Sequence, residues 1–184
     1  MKALIRTFIA VELDPDFGEK IRQIQERFSG FDLKFVNPEI VHITLKFLGD
    51  IKESMVDPVA AALDSIMCEP FEAKVGGIGV FPKPSSPKVL WLGATGNFET
   101  LHDEVETVLK PFKFKEDERA FTAHATLARV KSLNKDQKTA FINVLNELKN
   151  IEIGSFQVNK ALLKKSTLTP DGPIYETLHT VYLD

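Results

Sequence analysis

Two short patterns in this 184-residue chain carry side chains suited to moving protons: His42-Ile43-Thr44-Leu45 and His124-Ala125-Thr126-Leu127. Residues i and i+2 of a strand share a face, so each histidine projects beside its threonine while the intervening apolar residues turn to the core. Burying an imidazole and a hydroxyl without partners costs about 1–3 kcal/mol each. Either partners exist or the polar face lines a cleft. One copy alone reads as an ordinary structural or surface histidine; the second copy changes the weighing. Related by a pseudo-twofold axis, the two histidines would face each other across a groove, each beside a hydroxyl. That arrangement suits a phosphodiester, where a base takes a proton from attacking water and an acid on the opposite side protonates the departing oxygen. With an unperturbed pKa of about 6.5, histidine serves in either role near neutrality. Threonine hydroxyls can donate to nonbridging oxygens as charge gathers there.

A metal site competes with this reading, since paired histidines are common ligands. Each imidazole has a threonine for a neighbour rather than a carboxylate or a third histidine, and the chain contains no HExxH pattern. The expectation is therefore no metal and no cofactor. Arg129 follows His124 at an odd offset that points it to the other face, unless a bulge or strand end redirects it; a phosphate clamp and a surface ion pair both stay open. Lys160, Lys164 and Lys165 form a basic stretch that reads as a solvated face or as part of a phosphate track. His102 and His179 read as packing or surface residues, and Phe8, Phe35, Phe47 and Trp91 as mostly core, with one exposed aromatic available to stack a base.

The elements that must position these residues alternate along the chain. Strands are expected over Ala3 to Leu13, Val41 to Leu48, Phe71 to Phe81, Val89 to Ala94, Phe121 to Val130, Ile153 to Leu163 and Tyr175 to Leu183. Helices are expected from Pro15 to about Phe28, from Pro58 through Met67, from Asn97 to Lys110 and from Asn134 to Leu148. The proline-rich run from Pro82 to Pro87 reads as a loop unable to join a ladder, and Thr169 to Pro173 as a turn between antiparallel strands.

At 43% hydrophobic and 27% charged residues the chain reads as a self-folding globular domain with no membrane span, and it is taken as cytoplasmic. The amino-terminal stretch from Met1 to Arg6 carries charge within its apolar run. Cys68 is the single cysteine, which excludes an intrachain disulfide and reads as a buried thiol. A net charge of -3 excludes a basic footprint over the whole domain, so a nucleic acid, if one binds, would occupy a local groove.

These residues resemble the two-histidine phosphoesterase superfamily, in particular its RNA 2′,3′-cyclic phosphodiesterase branch, also called 2′-5′ RNA ligases. The resemblance spans nearly the full length. It includes Arg6-Thr7-Phe8-Ile9-Ala10-Val11, His42 to Gly49, Val89-Leu90-Trp91-Leu92-Gly93, Thr126-Leu127-Ala128-Arg129 and Gly172-Pro173-Ile174-Tyr175. It implies an α+β fold in which two similar, interleaved lobes form one domain over residues 1–184, with two antiparallel sheets lining a central cleft and helices outside. By the family pattern His42 is the proton donor to the leaving 3′ oxygen and His124 the proton acceptor from water. Thr44, Thr126 and Arg129 hold the phosphate. The resemblance further implies RNA with a 2′,3′-cyclic phosphate end as substrate, tRNA halves among the candidates, a monomer, and an ATP-independent reverse reaction that makes a 2′-5′ linkage. Ala123 stands where the family often has proline. A noncatalytic RNA- or nucleotide-binding module using the same cleft is the alternative from a different class.

Overall fold

The computed structural model describes residues 3–184; Met1 and Lys2, part of the amino-terminal stretch noted above, lie outside the described residues. Among the described residues, nine strands and four α-helices follow one another as β1 (Leu4–Glu12), α1 (Gly18–Glu26), β2 (Asp32–Phe35), β3 (His42–Lys52), α2 (Val56–Leu63), β4 (Phe71–Lys83), β5 (Ser86–Thr95), α3 (Phe98–Leu109), β6 (His124–Ser132), α4 (Lys135–Leu148), β7 (Glu152–Val158), β8 (Lys160–Thr169) and β9 (Gly172–Tyr182). All strand pairings are antiparallel. The path runs β7-β4-β5-β6-β3-β1-β8-β9, with β2 added to β6.

This curled sheet is two four-stranded paths meeting at a seam, with β2 added to one of them as a ninth strand. The seam is one bridge, Ile43 opposite Ala125. On one side lie β3, β1, β8 and β9; on the other lie β6, β5, β4 and β7. The expected α+β bilobal architecture is therefore present, with its two sheets touching at a single residue pair. Interleaving arises because the chain builds the first lobe through α2, apart from β2, which joins β6, then the second through β7, and returns to the first with β8 and β9.

Helices close the convex side through the apolar positions that periodicity marked: Ile21 and Ile24 on α1, Val59 and Leu63 on α2, Leu101 and Val105 on α3, Phe141 and Leu145 on α4. Asn134 caps α4 in a reciprocal pair with Gln137, which satisfies two otherwise orphaned backbone donors. On the sheet's inner side, alternate residues of the same strands are left to line the cleft.

Several expected boundaries shift. A 3-10 turn over Pro15–Phe17 precedes α1, and α2 ends at Leu63, short of Met67. The strand expected to begin at Phe121 begins at His124. The run expected over Ile153 to Leu163 is two strands broken at Asn159, because β7 pairs with β4 whereas β8 crosses to pair with β1. β4 and β5 pair through the proline run expected to be a loop, with Pro82 opposite Pro87. Those prolines are tolerated because β4 meets β7 only up to Gly76 and β5 meets β6 only from Val89, so each lies where its strand has one neighbour.

Both central strands carry a bulge at the same place. Between β1 and β3 the register skips Leu45, and between β5 and β6 it skips Leu127, the last residue of each four-residue pattern. The bulge in β6 is held from α1: buried Gln25 donates from Nε2 to the Leu127 carbonyl at 3.1 Å and to the Val36 carbonyl at 2.7 Å. The bulge in β3 is held from α3, where buried Lys46 Nζ meets both Glu106 oxygens at 2.9 and 3.0 Å. Each bulge is thus clamped by a helix of the opposite lobe. The Leu127 carbonyl also accepts from the Val36 backbone N–H at 2.9 Å, so replacing Gln25 by Ala removes the side-chain donor to the Val36 carbonyl and the second donor to Leu127, and the expected loss is about 1–3 kcal/mol of unfolding free energy, read from urea denaturation.

Candidate active site

Ile43 and Ala125 are buried at 0% and 1% exposure, so their strand neighbours His42, Thr44, His124 and Thr126 turn to the opposite, cleft-lining face. The antiparallel sense sets His42 toward Thr126 and Thr44 toward His124 across the seam. In a regular ladder such diagonal histidines have Cα atoms about 7–8 Å apart. All four side chains are half-buried. The structure therefore brings both sequence patterns to one place.

The rings are held in the same way. His42 Nδ1 lies 2.9 Å from the Ile40 carbonyl and His124 Nδ1 lies 2.7 Å from the Thr122 carbonyl, so each Nδ1–H donates to a backbone oxygen two residues upstream. The Nε2 atoms are not used by these backbone contacts. His42 Nε2 meets Thr44 Oγ1 at 3.0 Å, a contact in which the hydroxyl donates to the neutral ring and accepts from the protonated one.

The walls differ. Phe8 stacks on His42 with centroids 5.0 Å apart, and Tyr175 meets it edge-on at 5.3 Å. His124 stands edge-on to Phe81 at 5.0 Å and near Trp91 at 6.4 Å. Trp91 lies over Gly79, where any Cβ would fall 2.2 Å from the indole; only glycine permits this platform. Burial holds the His42 imidazole below the usual histidine value of 6.5, with nearby Lys164 acting in the same direction and the Ile40 hydrogen bond and Glu12 acting against it.

The bulge at Leu127 decides Arg129. One extra residue shifts the alternation, so Arg129 joins the cleft face opposite Val89 and Lys34 instead of pointing away. Its counterpart past the β3 bulge is Phe47, opposite Phe8. Arg129 is exposed and forms no ion pair among the described residues; burial raises the Tyr175 hydroxyl above its usual value, with Arg129 and Arg6 acting against it.

A family described as LigT like phosphoesterase matches residues 11–91 and 93–175, each stretch holding one histidine-threonine pattern. The chain belongs to this phosphoesterase family. It is 37% identical over 188 residues to the RNA 2′,3′-cyclic phosphodiesterase of Methanothermobacter thermautotrophicus, covering 97% of this chain and 99% of that one. A protein of the same description from Aeropyrum pernix is 37% identical over 156 residues, covering 83% of this chain and 88% of the other. The crystal structure of TT0787 of Thermus thermophilus superposes with a TM-score of 0.81 at 26% identity, covering 97% of each chain. Family membership makes the chain an enzyme and removes the noncatalytic module.

The remaining residues of the phosphoesterase sort by face. Phe47 is 59% exposed on the cleft, not core, and Trp91 is half-buried there; Phe8 is buried beneath His42, and Phe35 packs against the core. His102 stacks on Phe121 at 4.2 Å and His179 bonds Asp64 at 2.7 Å, both away from the cleft as packing and surface residues. Cys68 is buried and burial pushes its thiol up, in keeping with an inert structural role. Among the described residues no cluster of three metal-binding side chains forms, and no helix is long and apolar enough to cross a membrane. Glu12, in register with His42, was not singled out from sequence; its signal is its place on the strand that also carries Phe8.

The depressed His42 value has a measurable sign. The unfolded chain binds the proton more tightly than the native ring does, so this residue makes native stability fall as pH drops below 6.5. In a proton NMR titration the His42 ring is expected to titrate below 6.5, and saturating sulfate is expected to move it upward.

Proposed function

We propose that this enzyme hydrolyses 2′,3′-cyclic phosphate ends of RNA to 2′-phosphomonoesters, without a metal ion, through His42 and His124. The observation that supports the reading is the seam: one bridge between equivalent residues of β3 and β6 puts His42 and His124 on the same face, each with Nδ1 donating to a backbone carbonyl. The shared description of the relatives from Methanothermobacter and Aeropyrum supports the substrate class.

In this mechanism a water oxygen attacks phosphorus as its proton passes to His124 Nε2, and the bond from phosphorus to the 3′ oxygen breaks as that oxygen receives the proton of His42 Nε2. The backbone acceptors at Thr122 and Ile40 keep both rings in the tautomer this requires. His42 must arrive protonated although burial disfavours that state in the free enzyme. The negative charge of the bound phosphate offsets the cost, which couples substrate binding to arming of the acid. Thr44 and Thr126 donate to nonbridging oxygens, and Arg129 grips the phosphate bidentately from the bulged end of β6.

Run backward, the same acid and base join a cyclic phosphate to a 5′-hydroxyl as a 2′-5′ linkage, and halves of cleaved tRNA carry the ends such a reaction needs. The exposed Phe47 on the cleft gives the terminal base a surface to stack on. The working unit is a monomer acting in the cytoplasm, one domain over residues 1–184.

Incubating an RNA bearing a 2′,3′-cyclic end with enzyme in excess chelator is expected to yield a 2′-phosphate; an intact cyclic end or a 3′-phosphate rejects the reading. His42→Ala and His124→Ala are each expected to lower kcat by about 10²–10⁴ with little change in unfolding midpoint. Arg129→Lys keeps the charge but loses the fork, and its kcat/KM on the cyclic end is expected to fall by about tenfold.

A further inference from the structure

Of the three lysines in the basic stretch, one is unlike the others. Lys160 is exposed and Lys165 half-buried, whereas Lys164 is only 9% exposed. Its register with Phe8 puts it on the cleft face of β8, in the row that leads through Phe8 to Phe47. A buried ammonium is costly unless it is paired and hydrogen-bonded. Lys46 meets that requirement with two oxygens at 2.9 and 3.0 Å. Lys164 is held differently: its Nζ is not among the fully enclosed polar atoms and keeps a path to solvent, and its one ionic partner among the described residues is Glu12 Oε2 at 3.5 Å. That separation is longer than the roughly 2.7–2.9 Å of a charge-assisted hydrogen bond.

Glu12 is also the residue opposite His42 in the ladder. The Glu12 and Lys164 pair therefore flanks the ring on the cleft side, with Phe8 stacked against it and Tyr175 at its edge. At the equivalent places of the second lobe stand Gly93, opposite His124, and Phe81, opposite Val89. The fold itself does not demand an ion pair at these positions, since the other lobe is built without one.

We propose that Lys164 is a second phosphate-binding cation of the cleft, loosely held by Glu12 in the free enzyme and turned to the anion when it binds. The proposal rests on the cleft being a phosphate site. Arg129 approaches from the bulged end of β6 and Lys164 from the floor of the first lobe, so the two cations bracket the phosphate from different elements. Glu12 then acts as a positioning residue: it keeps the ammonium near the site, competes with the incoming anion, and recovers the lysine on product release.

Inorganic sulfate at pH 8 tests this without turnover, because His42 is neutral there and does not confuse the charge balance. Binding is read from the ring resonances of His42 and His124. Lys164→Met is expected to weaken sulfate binding by about tenfold or more, and Lys164→Arg to retain most of it. Glu12→Gln is expected to do the opposite and tighten binding, since it removes the competing carboxylate. A merely structural pair would make both substitutions weaken binding, and amide spectra of each variant show whether the fold persists. Equal sulfate affinity in wild type and Lys164→Met, or weaker binding in a folded Glu12→Gln, overturns the proposal while leaving cyclic-phosphate hydrolysis intact. Absence of sulfate binding in the wild type together with absence of turnover would instead remove the phosphate-site reading itself.

Discussion

The arrangement of the whole cleft depends on a single antiparallel bridge between Ile43 and Ala125. These residues occupy the same place in their two patterns, so the bridge lies on the pseudo-twofold axis of the molecule. Both side chains point into the core, which commits the flanking histidines and threonines to the other surface. Had the strands not met, nothing would fix the spacing of the rings. The matched bulges at Leu45 and Leu127 complete the geometry by re-phasing each strand just past its histidine-threonine pair. Strand pairing, bulge and crossing helix form one mechanical unit, with Gln25 and Glu106 as the pins.

Symmetry of backbone is combined with asymmetry of surroundings. Both rings donate from Nδ1 to a carbonyl two residues upstream, and both touch an aromatic ring at a centroid distance of 5.0 Å. Beyond that the environments part. His42 lies beside a carboxylate and an ammonium in a desolvated wall, while His124 lies against Phe81 and Trp91. Two groups of one chemical type can take different roles in a proton transfer only when their environments separate them. Here the difference in surroundings comes from side chains on β1 and β8 against those on β4 and β5, not from the repeated patterns.

Much of this was legible in the amino-acid sequence. The alternation of apolar and polar residues gave the central strands, and repetition of the histidine-threonine pattern announced two lobes and a shared groove. Arg129 shows where such reading stops: simple alternation assigns it to the far face, and the bulge that reverses the assignment has no sequence mark beyond four residues whose last is pushed out of register. β2 was missed because its four residues, Asp32–Phe35, are too few for a periodic signal. The break at Asn159 was missed because β7 and β8 continue the same apolar run while pairing with strands of different lobes. Phe47 looked like core from its position, yet the β3 bulge turns it to solvent. Each miss involves a long-range pairing choice, which local pattern does not encode.

The return of β8 and β9 to the first lobe also governs how the molecule assembles. β1 has β3 on one side, but its other edge stays open until Phe8 meets Lys164. During synthesis the first strand must wait, half-paired and apolar, while the entire second lobe emerges. Contacts so distant in the chain close slowly, because loop entropy is lost before they form. A nascent chain that has finished both histidine patterns still lacks the floor beneath His42, so the groove matures in a single late event.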